Sequence, residues 1–127
     1  MMTKHPDIEI YIKNTPVEKV LTWLSKRLDR IDESSSKGLF HHFTGEYQQQ
    51  TFDVVIHERA LGKSWISVWF QTDQTPWNID LDCAREASIK LNAQVRCIAS
   101  GWQEGQDPDE WYRVEKGIEE KIQWITD

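Results

Sequence analysis

Apolar positions recurring every second residue, or every third and fourth, divide most of this chain into strands and helices. Residues 8 to 13, Ile-Glu-Ile-Tyr-Ile-Lys, alternate apolar and polar and predict a half-buried strand. Thr15-Pro16-Val17-Glu18 then supplies a cap hydroxyl, a proline at the first helical position and a glutamate three residues after the cap. A helix is therefore expected from Pro16 to Ile31, with Val17, Val20, Leu21, Leu24, Leu28 and Ile31 as its core-facing stripe. Asp32 to Gly38, with three consecutive serines, reads as a flexible connection.

Leu39 to Thr44 reads as a strand with Gly45 near its end, and Gln48 to Gln50 as a turn. From Thr51 to Arg59, Phe52, Val54 and Ile56 alternate with Asp53, Val55 and His57, so another strand follows. Ala60 to Lys63 is short enough to make a hairpin with the next segment, Ser64 to Gln71. There the alternation is strict, with Ile66, Val68 and Phe70 on one face and Trp65, Ser67, Trp69 and Gln71 on the other.

Thr72 to Asn78 is a loop containing Pro76 and Trp77, and Asp80 is placed to cap a helix running to Asn92. Leu81, Ala84, Ala87, Ser88 and Leu91 share one side of it. Ala93 to Ser100 reads as a last strand. Asp107-Pro108-Asp109-Glu110 repeats the cap, proline and glutamate signature and predicts a C-terminal helix with the stripe Trp111, Val114, Ile118, Ile122 and Ile125. The expected order is β-α-β-β-β-α-β-α: an α+β fold with a mostly antiparallel five-stranded sheet, helices packed mainly on one face, and residues 1–127 in one compact domain.

Setting the strands side by side separates two sheet faces. Ile8, Ile10, Ile12, Phe52, Val54, Ile56, Ile66, Val68, Phe70, Val95, Cys97 and Ala99 make a continuous apolar face suited to lie under helices. The opposite face carries Glu9, Tyr11, Lys13, Asp53, Val55, His57, Arg59, Trp65, Trp69, Gln71, Arg96 and Ile98. Trp65 and Trp69 stand about 13 Å apart on an extended strand, so they bracket a shallow surface rather than stack on one another. With Tyr11, His57, Arg59 and Arg96 as flanking residues, this face is the first candidate for binding a partner or ligand. Its structural alternative is burial of both tryptophans under a further layer of the same chain.

Composition narrows the partners. The net charge is −6, and residues 102 to 127 hold eight acidic against three basic side chains, so nearly all the excess negative charge is C-terminal. Such a field disfavours duplex nucleic acid and anionic membrane and favours a basic protein surface. Cys83 and Cys97 are too few and too far apart for a disulfide framework and suit a reduced cytoplasmic setting. The N-terminus has no apolar stretch behind its lysine, and no apolar run approaches the roughly 20 residues that span a bilayer.

Candidate chemistry is sparse. Trp102 to Trp111 bracket an acidic segment with two tryptophans, and Trp77 and Trp102 fall on loops, where binding residues concentrate. Helix initiation alone accounts for Asp107, Pro108 and Glu110. His41 and His42 point to opposite strand faces, and neither they nor His57, Glu46 and Glu58 have a spacing that requires a metal or acid–base site. Cys83 has no specified histidine partner, and Asp80, Asp82 and Glu86 are explained by the helix dipole.

With no cofactor, metal or catalytic motif in view, an enzyme is the less favoured class. The expected function is a small acidic protein-binding module of inhibitor or immunity type. A small-molecule binder or enzyme, with a pocket between the mixed sheet face and the Trp77 and Trp102 loops, is the alternative. A homodimer that pairs the mixed face with its own copy is the third reading.

Overall fold

Alternation becomes pairing in the structure, a computed structural model that describes residues 5–99 and 109–124. The elements are β1 (Ile8–Lys13), α1 (Val17–Arg27), β2 (Arg30–Lys37), β3 (Phe40–Tyr47), β4 (Gln50–Glu58), β5 (Trp65–Phe70), α2 (Asp80–Leu91), β6 (Val95–Ile98), β7 (Glu110–Glu115) and β8 (Ile118–Gln123). All eight strands form one sheet in the order β2-β3-β4-β5-β1-β6-β7-β8. Every pairing is antiparallel.

The α+β class stands, but the five-stranded sheet does not. Three strands arise where a linker and a helix were expected. The serine-rich connection is β2, paired along its length with β3 and broken by a register shift between Glu33 and Ser35. Almost all of it is exposed, so it carries no apolar alternation to betray it. As an edge strand it gains its backbone bonds from one side only.

The expected C-terminal helix is a β7–β8 hairpin. Lys116 and Gly117 adopt left-handed backbone at φ 51° and 79°, the two-residue turn that matches strand twist. The supposed stripe splits across both faces: Trp111 opposes Ile122 on one, Val114 opposes Glu119 on the other, and Ile118 is exposed. Ile125 and the Asp107-Pro108 pair lie outside the described residues.

Both remaining helices form where the periodicity places them, with altered ends. Pro16 occupies the N-cap position without a side-chain cap, because the Thr15 hydroxyl donates to the Lys13 carbonyl at 3.0 Å instead. The first helix stops at Arg27, and Leu28 turns to extended backbone. Ile31 therefore belongs to β2. Ile79, not Asp80, is the N-cap of α2, and Asn92 closes that helix in left-handed conformation.

The core lies between the helices and one sheet face. Ile8, Ile10, Ile12, Val54, Ile56, Val68, Phe70, Val95 and Cys97 are completely buried there with Val20, Leu24, Ala84 and Ala87 of the helices. One carboxylate ties the helical layer together. Glu86 of α2 accepts hydrogen bonds from the indoles of Trp23 and Trp77, at 2.9 and 3.1 Å, and from Arg27 Nε at 2.9 Å. Burial pushes this carboxyl up, but the three donors, Arg27 foremost, outweigh it and hold Glu86 below the usual range. No helix among the described residues is long and apolar enough to cross a membrane.

Gly45 of β3 shows how closely this layer is packed. A Cβ there would stand 2.8 Å from the Phe52 ring and 3.4 Å from Leu28. Gly45→Ala should therefore cost about 1–3 kcal/mol of unfolding free energy in urea titrations, through displacement of Phe52. A neutral substitution would show that the ring has room to move.

Candidate binding face

With both helices on one side, the second sheet face must be closed by its own side chains or remain open. It does both, in different halves. Around β1, β6 and β7 it is closed by aromatic rings: Tyr11 and Trp111 meet at 5.4 Å, Trp111 and Trp124 at 4.9 Å, and Trp65 and Trp124 at 4.8 Å. The Arg96 guanidinium sits over Trp65 at 4.8 Å and over Trp124 at 4.4 Å. This cluster explains why Trp65 is 9% exposed on a face that no helix covers.

Electrostatics in this half follow from desolvation. Burial, and then the like charge of Arg113, lower the Arg96 pKa. Arg96 Nε donates to Gln94 at 2.9 Å, and no carboxylate among the described residues forms an ion pair with it. Burial with the nearby Glu9 carboxylate pushes the Tyr11 phenol up to about 12. Among the described residues the buried Trp111 indole N–H has no hydrogen-bond partner.

Toward β3, β4 and β5 the same face is open. Trp69 is 37% exposed and Phe40 54%. His57 stacks on Phe40 with ring centroids 4.0 Å apart, and Val55 lies directly across from Trp69 in the β4–β5 pairing. Trp69 is held in place because its indole donates to Asp7 at 2.8 Å. Its neighbour across β1 is Glu9. Burial pushes the Glu9 carboxyl up, and Asp80 and Asp7 add to it by like-charge repulsion.

Trp65, Tyr11 and Arg96, expected to belong together, do meet, although as a sealed cluster. Trp69 and His57 lie on the open half. Arg59 sits past the end of β4, exposed and in left-handed backbone at φ 55°. Trp77 is elsewhere: it lies under the helices against Trp23 and Phe70, on the opposite side of the sheet, so it lines no pocket with the mixed face. Trp102 lies outside the described residues. Sequence reasoning missed Trp111 and Trp124 as members of this face because it placed Trp111 on a helix, and it missed Phe40 because that segment showed no clean alternation.

The carboxylates of β7 and β8 are engaged within the chain. Glu119 pairs with Arg85 at 2.6 Å, Glu115 and Glu120 with Arg113 at 2.7 and 2.8 Å, and Glu110 approaches Lys121 at 3.7 Å. His42 faces Asp53 and His41 faces Glu58, while no group of three metal-binding side chains occurs among the described residues. Cys83 and Cys97 are buried free thiols whose pKa values burial drives upward, the opposite of nucleophile activation. No protein-family model, curated protein or solved structure matches this chain.

Two measurements test this geometry. Trp111→Phe removes an N–H that has no partner and should stay within about 1.5 kcal/mol of the parent. Trp111→Ala opens the cluster and should cost about 3–5 kcal/mol in the same denaturation assay. Equal losses would show that a smaller ring cannot keep the cluster closed.

Asp80 supplies the second. Burial pushes its carboxyl up to about 6 from 3.8, with His5, 3.3 Å away, pulling it down. The folded state thus holds this proton more tightly than the unfolded chain does. Its contribution to stability is full below about pH 4 and is lost as pH rises through about 6. Relative to Asp80→Asn, the parent should lose up to about 2 kcal/mol between those limits, and a difference constant with pH contradicts the assignment.

Proposed function

We propose that this protein is a protein-binding module whose open sheet face docks a basic surface of another protein, with Trp69 and Phe40 as anchors. The observation that carries this reading is the setting of Trp69: an exposed indole pinned by Asp7, with Glu9 beside it. Strands β3, β4 and β5 and the first half of β1 place no lysine or arginine on this face. A partner's arginine or lysine laid over the ring gains about 0.5–2 kcal/mol from the aromatic quadrupole and meets two carboxylates at its edge.

Charge and shape support the same occupant. Glu9, Asp7 and Asp80 raise one another's energy as neighbouring anions, so an incoming cation relieves repulsion already present. Aromatic residues ringed by polar groups are the side chains that dominate interface energetics. The net charge of −6, with its excess in the C-terminal segment, contributes a negative field that steers approach. This moves the acidic docking surface from the C-terminal segment, where the charge excess lies in sequence, to the Asp7–Glu9 margin.

A photo-crosslinking residue in place of Phe40, expressed in the native host, tests the reading. One protein should be trapped in constant proportion, through a lysine- or arginine-bearing surface. Trp69→Ala should lower the adduct about thirtyfold, the cost of an anchor worth roughly 2 kcal/mol, without shifting the melting temperature by more than a few degrees. Failure to trap any protein, an adduct that survives Trp69→Ala, or an adduct only with a second copy of this chain contradicts it.

A further inference from the structure

On the opposite side of the molecule, the outer surface of the helical layer holds a groove of about 490 Å³ between α1 and α2. That volume is within the usual range for small-molecule sites, about 300–1,000 Å³. Trp23 and Leu91 form an apolar floor. Lys19, Lys26 and Lys90 stand around it, all exposed, and none takes part in an ion pair among the described residues. Arg27 and Glu86 neutralise each other at 2.9 Å in its wall.

This concentration of cations is out of keeping with a chain of net charge −6. Lys26 and Lys90 lie in the last turns of their helices, where the macrodipole favours positive charge. That reason does not extend to Lys19, which lies in the first turn of α1, where a cation is unfavourable. Lys19 and Leu91 also line a second, more polar cavity of about 290 Å³ that continues past the end of α2 to Lys13 and Asn92. An apolar floor ringed by lysines therefore leads, past Lys19, into a polar end that Glu115 also lines.

We propose that this groove binds a small amphipathic anion: an aromatic or aliphatic body over Trp23 and Leu91, with a carboxylate, sulfonate or phosphate held between Lys19 and Lys90. The Glu86 node gives the site rigidity, since its three donors fix the Trp23 ring before any ligand arrives. The site is separate from the docking face, because sheet and core lie between them.

Anilinonaphthalene sulfonate and its uncharged counterpart without the sulfonate, N-phenyl-naphthylamine, are suitable probes. Titrated into the full chain, the sulfonate should bind saturably and shift the Trp23 indole resonance in proton–nitrogen correlation spectra, leaving Trp69 unmoved. It should bind about tenfold tighter than the uncharged probe, and Lys19→Gln with Lys90→Gln should abolish that margin. Both lysines are exposed, so melting temperature should be unchanged in the double variant. Equal affinity for the two probes, a margin that survives the double variant, shifts centred on Trp69, or no saturable binding overturns the proposal. Trp69→Ala leaves this test untouched, so it stands or falls apart from the docking reading.

Discussion

Two helices can cover one face of an eight-stranded sheet and no more. Everything else in this protein follows from that inequality. The aliphatic face of β1, β4, β5 and β6 is buried under α1 and α2 and supplies the core. The other face has to be stabilised without a third layer among the described residues, and β5, with tryptophans on that side, is where the requirement is most acute. The chain meets it by condensing Tyr11, Trp65, Trp111 and Trp124 around Arg96, a desolvated cation whose charge is shared between two indole faces. Where the cluster ends, Trp69 and Phe40 are 37% and 54% exposed, and Trp69 is held by Asp7 with Glu9 beside it.

The helical side is organised by a single acceptor. Glu86 gathers donors from α1 and from the loop that carries Trp77, so the two helices cannot slide without leaving a half-buried carboxylate unpaired. This rigidity has a consequence on the outer surface, where the same Trp23 that Glu86 holds becomes the floor of a cationic groove. Core-side bonding thus presets a shape on the solvent side.

Legibility in the sequence tracked burial. The strands with one aliphatic face, β1, β4, β5 and β6, announced themselves through alternation, because a one-residue slip would expose Ile10 or Val68. The helices were legible for the same reason through Val20, Leu24, Ala84 and Ala87. Arg30–Lys37 was not, since an edge strand beyond the helical cover has nothing to bury and its serines satisfy linker and strand alike. The C-terminal hairpin was hidden by a coincidence of spacing, in which Trp111, Val114, Ile118 and Ile122 fit a helical stripe although the hairpin divides them between both sheet faces. Gly117, isolated inside the supposed helix, was the available signal against it. Of the candidate site, the Tyr11, Trp65 and Arg96 association was readable from strand register. The contribution of Trp111 and Trp124 depended on the hairpin and could not be read without it.

The central claim is that the second sheet face is divided, sealed at Trp65 and Trp111 and open at Trp69. A soluble, neutral gadolinium chelate added to the protein broadens each indole N–H resonance according to its distance from solvent. Strong broadening is expected at Trp69 and near-complete protection at Trp65, Trp111 and Trp77. Protection of Trp69 to the same degree as Trp65, or broadening of Trp65 to the same degree as Trp69, would contradict that division.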